Sequence, residues 1–99
     1  MEDFLNNKAE FLNPNHVVII TDTSILLYSY NSFVGAYNKE DNTLHLDRYV
    51  WDYSNITRKY FKQFINNYTC FKYDSKAKFI NLIESSEAII VHNKNGAVA

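Results

Sequence analysis

The chain is poor in the residues that break or tether a fold. One proline and two glycines leave no stretch that reads as a flexible linker or low-complexity spacer. A single cysteine, Cys70, has no partner for an intrachain disulfide and accords with a reducing compartment. The longest apolar runs, Val17–Ile20 and Ile25–Tyr28, are far short of the roughly 20 residues that cross a bilayer as a helix. The opening MEDFLNNKAEFL has neither the cationic start nor the apolar run of a signal peptide, so the expected location is the cytosol. Nor is there a charge excess. A net charge of -1 excludes a uniformly basic nucleic-acid coat and a heavily acidic mimic of DNA.

What is present is apolar and aromatic. Of 99 residues 46% are hydrophobic and 16% aromatic, enough for one domain over residues 1–99 with a real core. Glu2 to Leu12 reads as a short helix that Asn13-Pro14-Asn15 stops, because proline disfavours helical geometry in the residue before it. Val17–Thr21 and Ile25–Tyr30 read as strands from their β-branched and aromatic content, with a turn at Asn31-Ser32. Phe33–Tyr37 follows as another strand, then the polar loop 38–42. Thr43–Asp47 alternates with period two, which turns Leu44 and Leu46 to the core and His45 and Asp47 to the other side. Ser54 reads as the N-cap of the main helix. At 100° per residue Ile56, Thr57, Tyr60, Phe61, Phe64, Ile65 and Tyr68 share one half of it, and Arg58, Lys59, Lys62, Gln63, Asn66 and Asn67 the other. Cys70 is expected to turn inward after it. Asp74 or Ser75 is expected to cap a second helix, from Lys76 to about Ser85, with Phe79, Ile80, Leu82 and Ile83 inward. Ala88–His92 reads as a final strand and residues 93–99 as a frayed tail. The expected class is α+β, an antiparallel sheet of three to five strands packed by one main amphipathic helix and one or two shorter ones.

Charge is distributed unevenly. Residues 1–53 hold three cations against eight anions, whereas residues 54–79 hold six cations and only Asp74. Arg58, Lys59, Lys62, Lys72, Lys76 and Lys78 are therefore candidate contacts for an anionic partner. Tyr49, Trp51 and Tyr53 alternate just before the main helix and are candidate exposed anchors, since Tyr, Trp and Arg dominate interface hot spots. The chemical signals are thin. His16, His45, His92 and Cys70 show no CxxC, HxxxH or HxH spacing, and His45 reads as a solvated surface residue. The glycines form no phosphate loop; Gly35 reads as a bulge or a close crossing beneath a ring. Ser24 and Ser32 have no base and carboxylate organised around them. The expectation is no catalytic residue, no metal and no cofactor.

The stretch LYSYNSFVGAY, the later TLHL, and WDYSNITRKYFKQF carry a resemblance. Across residues 26–64 the chain is similar to a family of short phage and mobile-element proteins of unassigned function. In that family a Ser-Tyr strand leads through a Thr-Pro-like turn and a hairpin into a Tyr-Ser-x-Thr helix start. Here Ser32-Phe33 takes the place of the Thr-Pro and Tyr60 that of a histidine. The resemblance implies a small non-enzymatic binding protein that inhibits or modulates a host machine, such as a CRISPR or other defence complex. Its partner would be a host or phage protein or ribonucleoprotein, with no membrane. A small nucleic-acid-binding protein using the basic 54–79 face is the alternative, and a small hydrolase or metal enzyme forms a third class. Oligomeric state stays open, a homodimer included.

Overall fold

The computed structural model describes residues 7–92. Six strands form one sheet in the order of the chain: β1 (Lys8–Asn13), β2 (His16–Ile20), β3 (Ser24–Ser29), β4 (Ser32–Asn38), β5 (Thr43–Asp47) and β6 (Ile89–His92). Two helices, α1 (Asn55–Tyr68) and α2 (Lys76–Ser85), lie between β5 and β6 in sequence. The class is α+β as expected, but the sheet is larger than three to five strands and is not purely antiparallel. The first five strands meander through short links. β6 then pairs parallel to β5, with Leu44 opposite Ile89 and Asp47 opposite His92. A parallel neighbour requires a long crossover, and the two helices supply it.

The expected helix over Glu2–Leu12 is corrected in its described part: Lys8–Asn13 is a strand paired with β2. A helix that short is marginal by itself, whereas a neighbouring strand satisfies the same backbone groups across a tight turn. Residues 1–6 and the tail 93–99 lie outside the described residues. The third turn also differs from expectation. Tyr30 and Asn31, rather than Asn31-Ser32, take positive φ of 50° and 69°, which joins β3 to β4 in a two-residue hairpin turn.

Strand alternation sets the core. Val18, Leu27, Leu44 and Leu46 are wholly buried, while Val17, Ile19, Leu26 and Tyr28 on the intervening positions are only half-buried. Gly35 lies beside a register shift and beneath a ring. A Cβ there would stand 3.0 Å from Leu46 Cδ2 and 3.1 Å from the His45 carbonyl oxygen, so the glycine leaves room for the neighbouring strand β5, with Phe61 Cε1 at an ordinary contact distance of 3.8 Å.

Helix α1 begins where Ser54 Oγ accepts the Thr57 N–H at 3.1 Å. It buries Thr57, Phe61, Phe64 and Ile65, with Tyr60 and Tyr68 half-buried. Ile56, expected inward, is 52% exposed. Of the two capping candidates, Ser75 caps α2, accepting the Lys78 N–H at 3.3 Å. That helix inserts Phe79 between Phe61, Tyr73 and Trp51, at centroid distances of 5.4, 5.0 and 5.6 Å. Ring contacts of this kind add roughly 0.5–1.5 kcal/mol beyond area burial.

Candidate functional site

The turn between β1 and β2 does more than reverse the chain. Asn13 Oδ1 accepts the Asn15 backbone N–H at 2.8 Å, and His16 Nδ1 lies 2.8 Å from the same oxygen. An amide N–H can only donate, so the Asn13 atom is an acceptor and His16 Nδ1 must carry the proton. His16 Nε2 is then a bare acceptor. It faces Ser29 Oγ at 2.9 Å, and Ser29 must donate its proton to it. Ser29 Oγ in turn lies 3.1 Å from Thr57 Oγ1, and Ser54 donates to Thr57 Oγ1 at 3.2 Å. The result is a hydrogen-bond chain with one direction, Ser54 to Thr57 to Ser29 to His16 to Asn13.

Each member is held by packing. His16 has no exposed surface, stacks on Tyr60 at 4.5 Å between centroids and meets the edge of Tyr30 at 5.4 Å. Burial holds its ring below the ordinary histidine value, so the imidazole is neutral at pH 7. Ser29 is the last residue of β3 and Thr57 lies in the first turns of α1, so the chain ties the first two hairpins to the main helix.

An open cavity of about 560 Å³ sits against the Ser29 end, lined by Ser29, Tyr30, Ser32, Val50, Tyr53, Ser54 and Thr57. None of these lining residues carries a charge. Its mouth is aromatic: Tyr53 is 80% exposed and Tyr30 58%. Ile56 from the first turn of α1 and Tyr49, next to the lining residue Val50 in the chain, are also more than half exposed. Asp47 shapes this segment, its Oδ1 accepting the N–H groups of Tyr49 at 2.9 Å and Val50 at 3.0 Å.

The candidate contacts named from sequence divide into three groups. Lys59, Lys62 and Lys72 are exposed, with Lys59 Nζ 5.3 Å from the centroid of Tyr60. Arg58 and Lys76 are tied to one carboxylate: Arg58 Nη1 reaches Asp52 Oδ1 at 2.6 Å and Lys76 Nζ reaches Asp52 Oδ2 at 2.7 Å. Arg58 also donates to Asn55. Burial pushes the Asp52 carboxyl up, but the hydrogen bonds and charges of Lys76 and Arg58 outweigh it and hold it below its ordinary value. Lys78 stands 4.0 Å from Asp74, one turn away, with both largely exposed. The basic segment is thus less bare than its sequence suggests, because its main counter-ion lies just before Ser54. Tyr49 and Tyr53 are exposed, as anchors must be. Trp51 is not one of them. It is 7% exposed and packs against Phe61 at 5.2 Å and Phe79 at 5.6 Å, since alternate positions in this segment turn inward.

Two further expectations are corrected. His45 is half-buried rather than solvated: its Nδ1 lies 2.8 Å from His92 Nε2, its Nε2 lies 3.1 Å from Thr43 Oγ1, and the two imidazoles stack at 5.0 Å. Burial first, and the neighbouring His92 second, push its ring below the usual histidine value. Parallel pairing of β6 makes this contact, which no local spacing announces. Cys70, expected inward, is exposed. Among the described residues no group of three or more His, Cys, Asp or Glu could hold a metal ion, and no helix is long and apolar enough to cross a membrane.

Sequence reasoning weighed Ser24 and Ser32 and passed over Ser29. Asn13, His16, Ser29 and Thr57 belong to three different strands and a helix, so nothing in their spacing marks them. The one local signal is the turn sequence Asn-Pro-Asn-His, in which a side-chain oxygen three residues before a histidine can reach its Nδ1.

Comparison with known proteins adds membership without an activity. No curated protein and no solved structure matches the chain. A family model does match, over residues 1–81, and the chain belongs to that family, described as a family of unknown function (DUF8033).

Proposed function

We propose that the chain is a binding protein that docks a macromolecular partner, a protein or ribonucleoprotein, on the aromatic mouth beside the first turn of α1. The observation that carries this reading is the exposure of Tyr53 and Tyr30 at one open cavity, with Tyr49 and Ile56, next in the chain to lining residues, exposed as well. Large rigid rings left in water cost hydration free energy that a partner recovers, and they lose few rotamers on binding. Lys59 and Lys62 are exposed on the outer face of the same helix and suit an acidic rim on that partner. Docking itself calls for no chemistry, cofactor or membrane. Modulation of a host defence machine by a phage or mobile-element protein is the form suggested by the resemblance of residues 26–64. A cytosolic setting accords with the free, exposed Cys70.

Direct nucleic-acid binding is the weaker reading, because Asp52 engages Arg58 and Lys76 and leaves α1 with few free cations. Capture from a bacterial lysate with and without nuclease separates the two, read in the wild-type chain and in Tyr53→Ala and Lys59→Glu/Lys62→Glu variants. The docking reading expects a captured protein that survives nuclease. Tyr53→Ala should raise its dissociation rate about tenfold or more, while the charge reversals act mainly on association. Capture of nucleic acid with no accompanying protein, or capture that ignores Tyr53→Ala, refutes it.

A further inference from the structure

We infer that Ser29 is an activated nucleophile, with His16 as its general base and Asn13 as the residue that positions the base, and that the cavity above it accepts a small neutral acyl ester. The inference goes beyond docking and needs no partner. Three observations meet in it. First, Asn13 Oδ1, His16 and Ser29 Oγ are joined at 2.8 and 2.9 Å, and the Asn15 N–H fixes the direction of both hydrogen bonds. This is the tautomer that a serine nucleophile requires: protonated at Nδ1, bare at Nε2, with an orienting oxygen behind it. Second, Ser29, although only 4% exposed, lines a cavity of about 560 Å³, within the size range of small-molecule sites. Third, the lining supplies what a neutral ester needs. Val50, Tyr30 and Tyr53 offer apolar surface, and the Ser32 hydroxyl offers a donor for an oxygen that gains charge. The absence of charge among the lining residues disfavours anionic and cationic substrates alike.

The chemistry closes without any further reagent than water. Ser29 Oγ adds to the ester carbonyl carbon as its proton passes to His16 Nε2. The tetrahedral adduct collapses, the bond to the alcohol oxygen breaks, and the alcohol leaves with that proton. Water then adds to the acyl-Ser29 carbonyl, giving a proton to His16. The Ser29 oxygen departs and takes this proton back, releasing the carboxylic acid. Ester and water become acid and alcohol, with no change of oxidation state. Asn13 carries no charge, so it orients His16 without the electrostatic help a carboxylate would give the imidazolium; the expected rates are correspondingly modest.

Two probes test this on the full chain. An alkyl fluorophosphonate should form one covalent adduct per chain, through an Oγ–P bond made as P–F breaks, and peptide mass spectrometry should place it on Ser29. p-Nitrophenyl butyrate should be hydrolysed, with Ser29→Ala at the uncatalysed rate and His16→Gln slower by about 100-fold, a typical loss for a general base. Asn13→Ala should lower kcat with little change in KM, and Asn13→Asp should restore it. Circular dichroism confirms that each variant is folded. The wild-type labelling needs no variant. A folded wild-type chain that stays unlabelled at Ser29, or that carries its adduct on Cys70 or a tyrosine, overturns the inference. So does hydrolysis that Ser29→Ala leaves unchanged, and the hydrogen-bond chain is then a structural tie alone.

Discussion

Replacing Phe61 with alanine removes the side chain on which both helices and the sheet converge. Phe61 has no exposed surface, and its ring meets Trp51 at 5.2 Å, Phe79 at 5.4 Å, Tyr73 at 6.0 Å and Phe64 at 6.4 Å. Deleting a buried phenylalanine costs about 3–5 kcal/mol in lost transfer free energy and unfilled cavity. The high end applies here, because four neighbouring rings are too rigid to collapse into the space and each loses an edge or tilted contact. The expected loss is about 4–5 kcal/mol, set against a total stability of roughly 5–15 kcal/mol for a domain of this size. Urea denaturation followed by circular dichroism should show the midpoint fall with little change in slope. Thermal unfolding should fall by about 15–30 °C, or the variant should fail to fold at all. Phe61→Leu keeps part of the volume and should lose about half as much, which leaves a measurable point if alanine unfolds the chain. A loss below about 1.5 kcal/mol for alanine would mean that α1 does not bury this face, and the packing described above would be refuted.

Two further outcomes are expected. Asp52→Asn removes the shared counter-ion of Arg58 and Lys76; because all three groups are partly exposed, screening limits the loss to roughly 0.5–1.5 kcal/mol, and the difference from wild type should shrink in 1 M salt. An effect that salt does not reduce would show that the pair acts through geometry instead of charge. Stability should also fall in mild acid. His16 and His45 both have folded-state values depressed by burial, so the unfolded chain binds more protons just below the ordinary value of about 6.5. The contribution is whole above that pH and is lost as pH falls from there through the two folded-state values. Denaturation midpoints that stay level from pH 7 to 5 would contradict the burial of both rings, and His16→Gln should remove part of the slope.

Much of the architecture is carried by neighbours in sequence. The half-and-half distribution around α1, the caps at Ser54 and Ser75, and the alternation that buries Leu44 and Leu46 all follow from residues within one or two turns of each other. Helical and strand periods act over such distances, so these features are legible without any tertiary contact. Other features depend on which segments meet. Lys8–Asn13 is a strand because β2 lies beside it, and Trp51 is buried because α2 brings Phe79 against it. Asp52 reaches Lys76 only after the second helix returns beside it, and His45 finds His92 only after the chain returns in parallel. The row Asn13, His16, Ser29 and Thr57 is the furthest from legible. Hydrogen bonds are satisfied at about 3 Å in space, whatever the separation along the chain, and only the paired hairpins and the helix laid across them bring these four side chains within that distance.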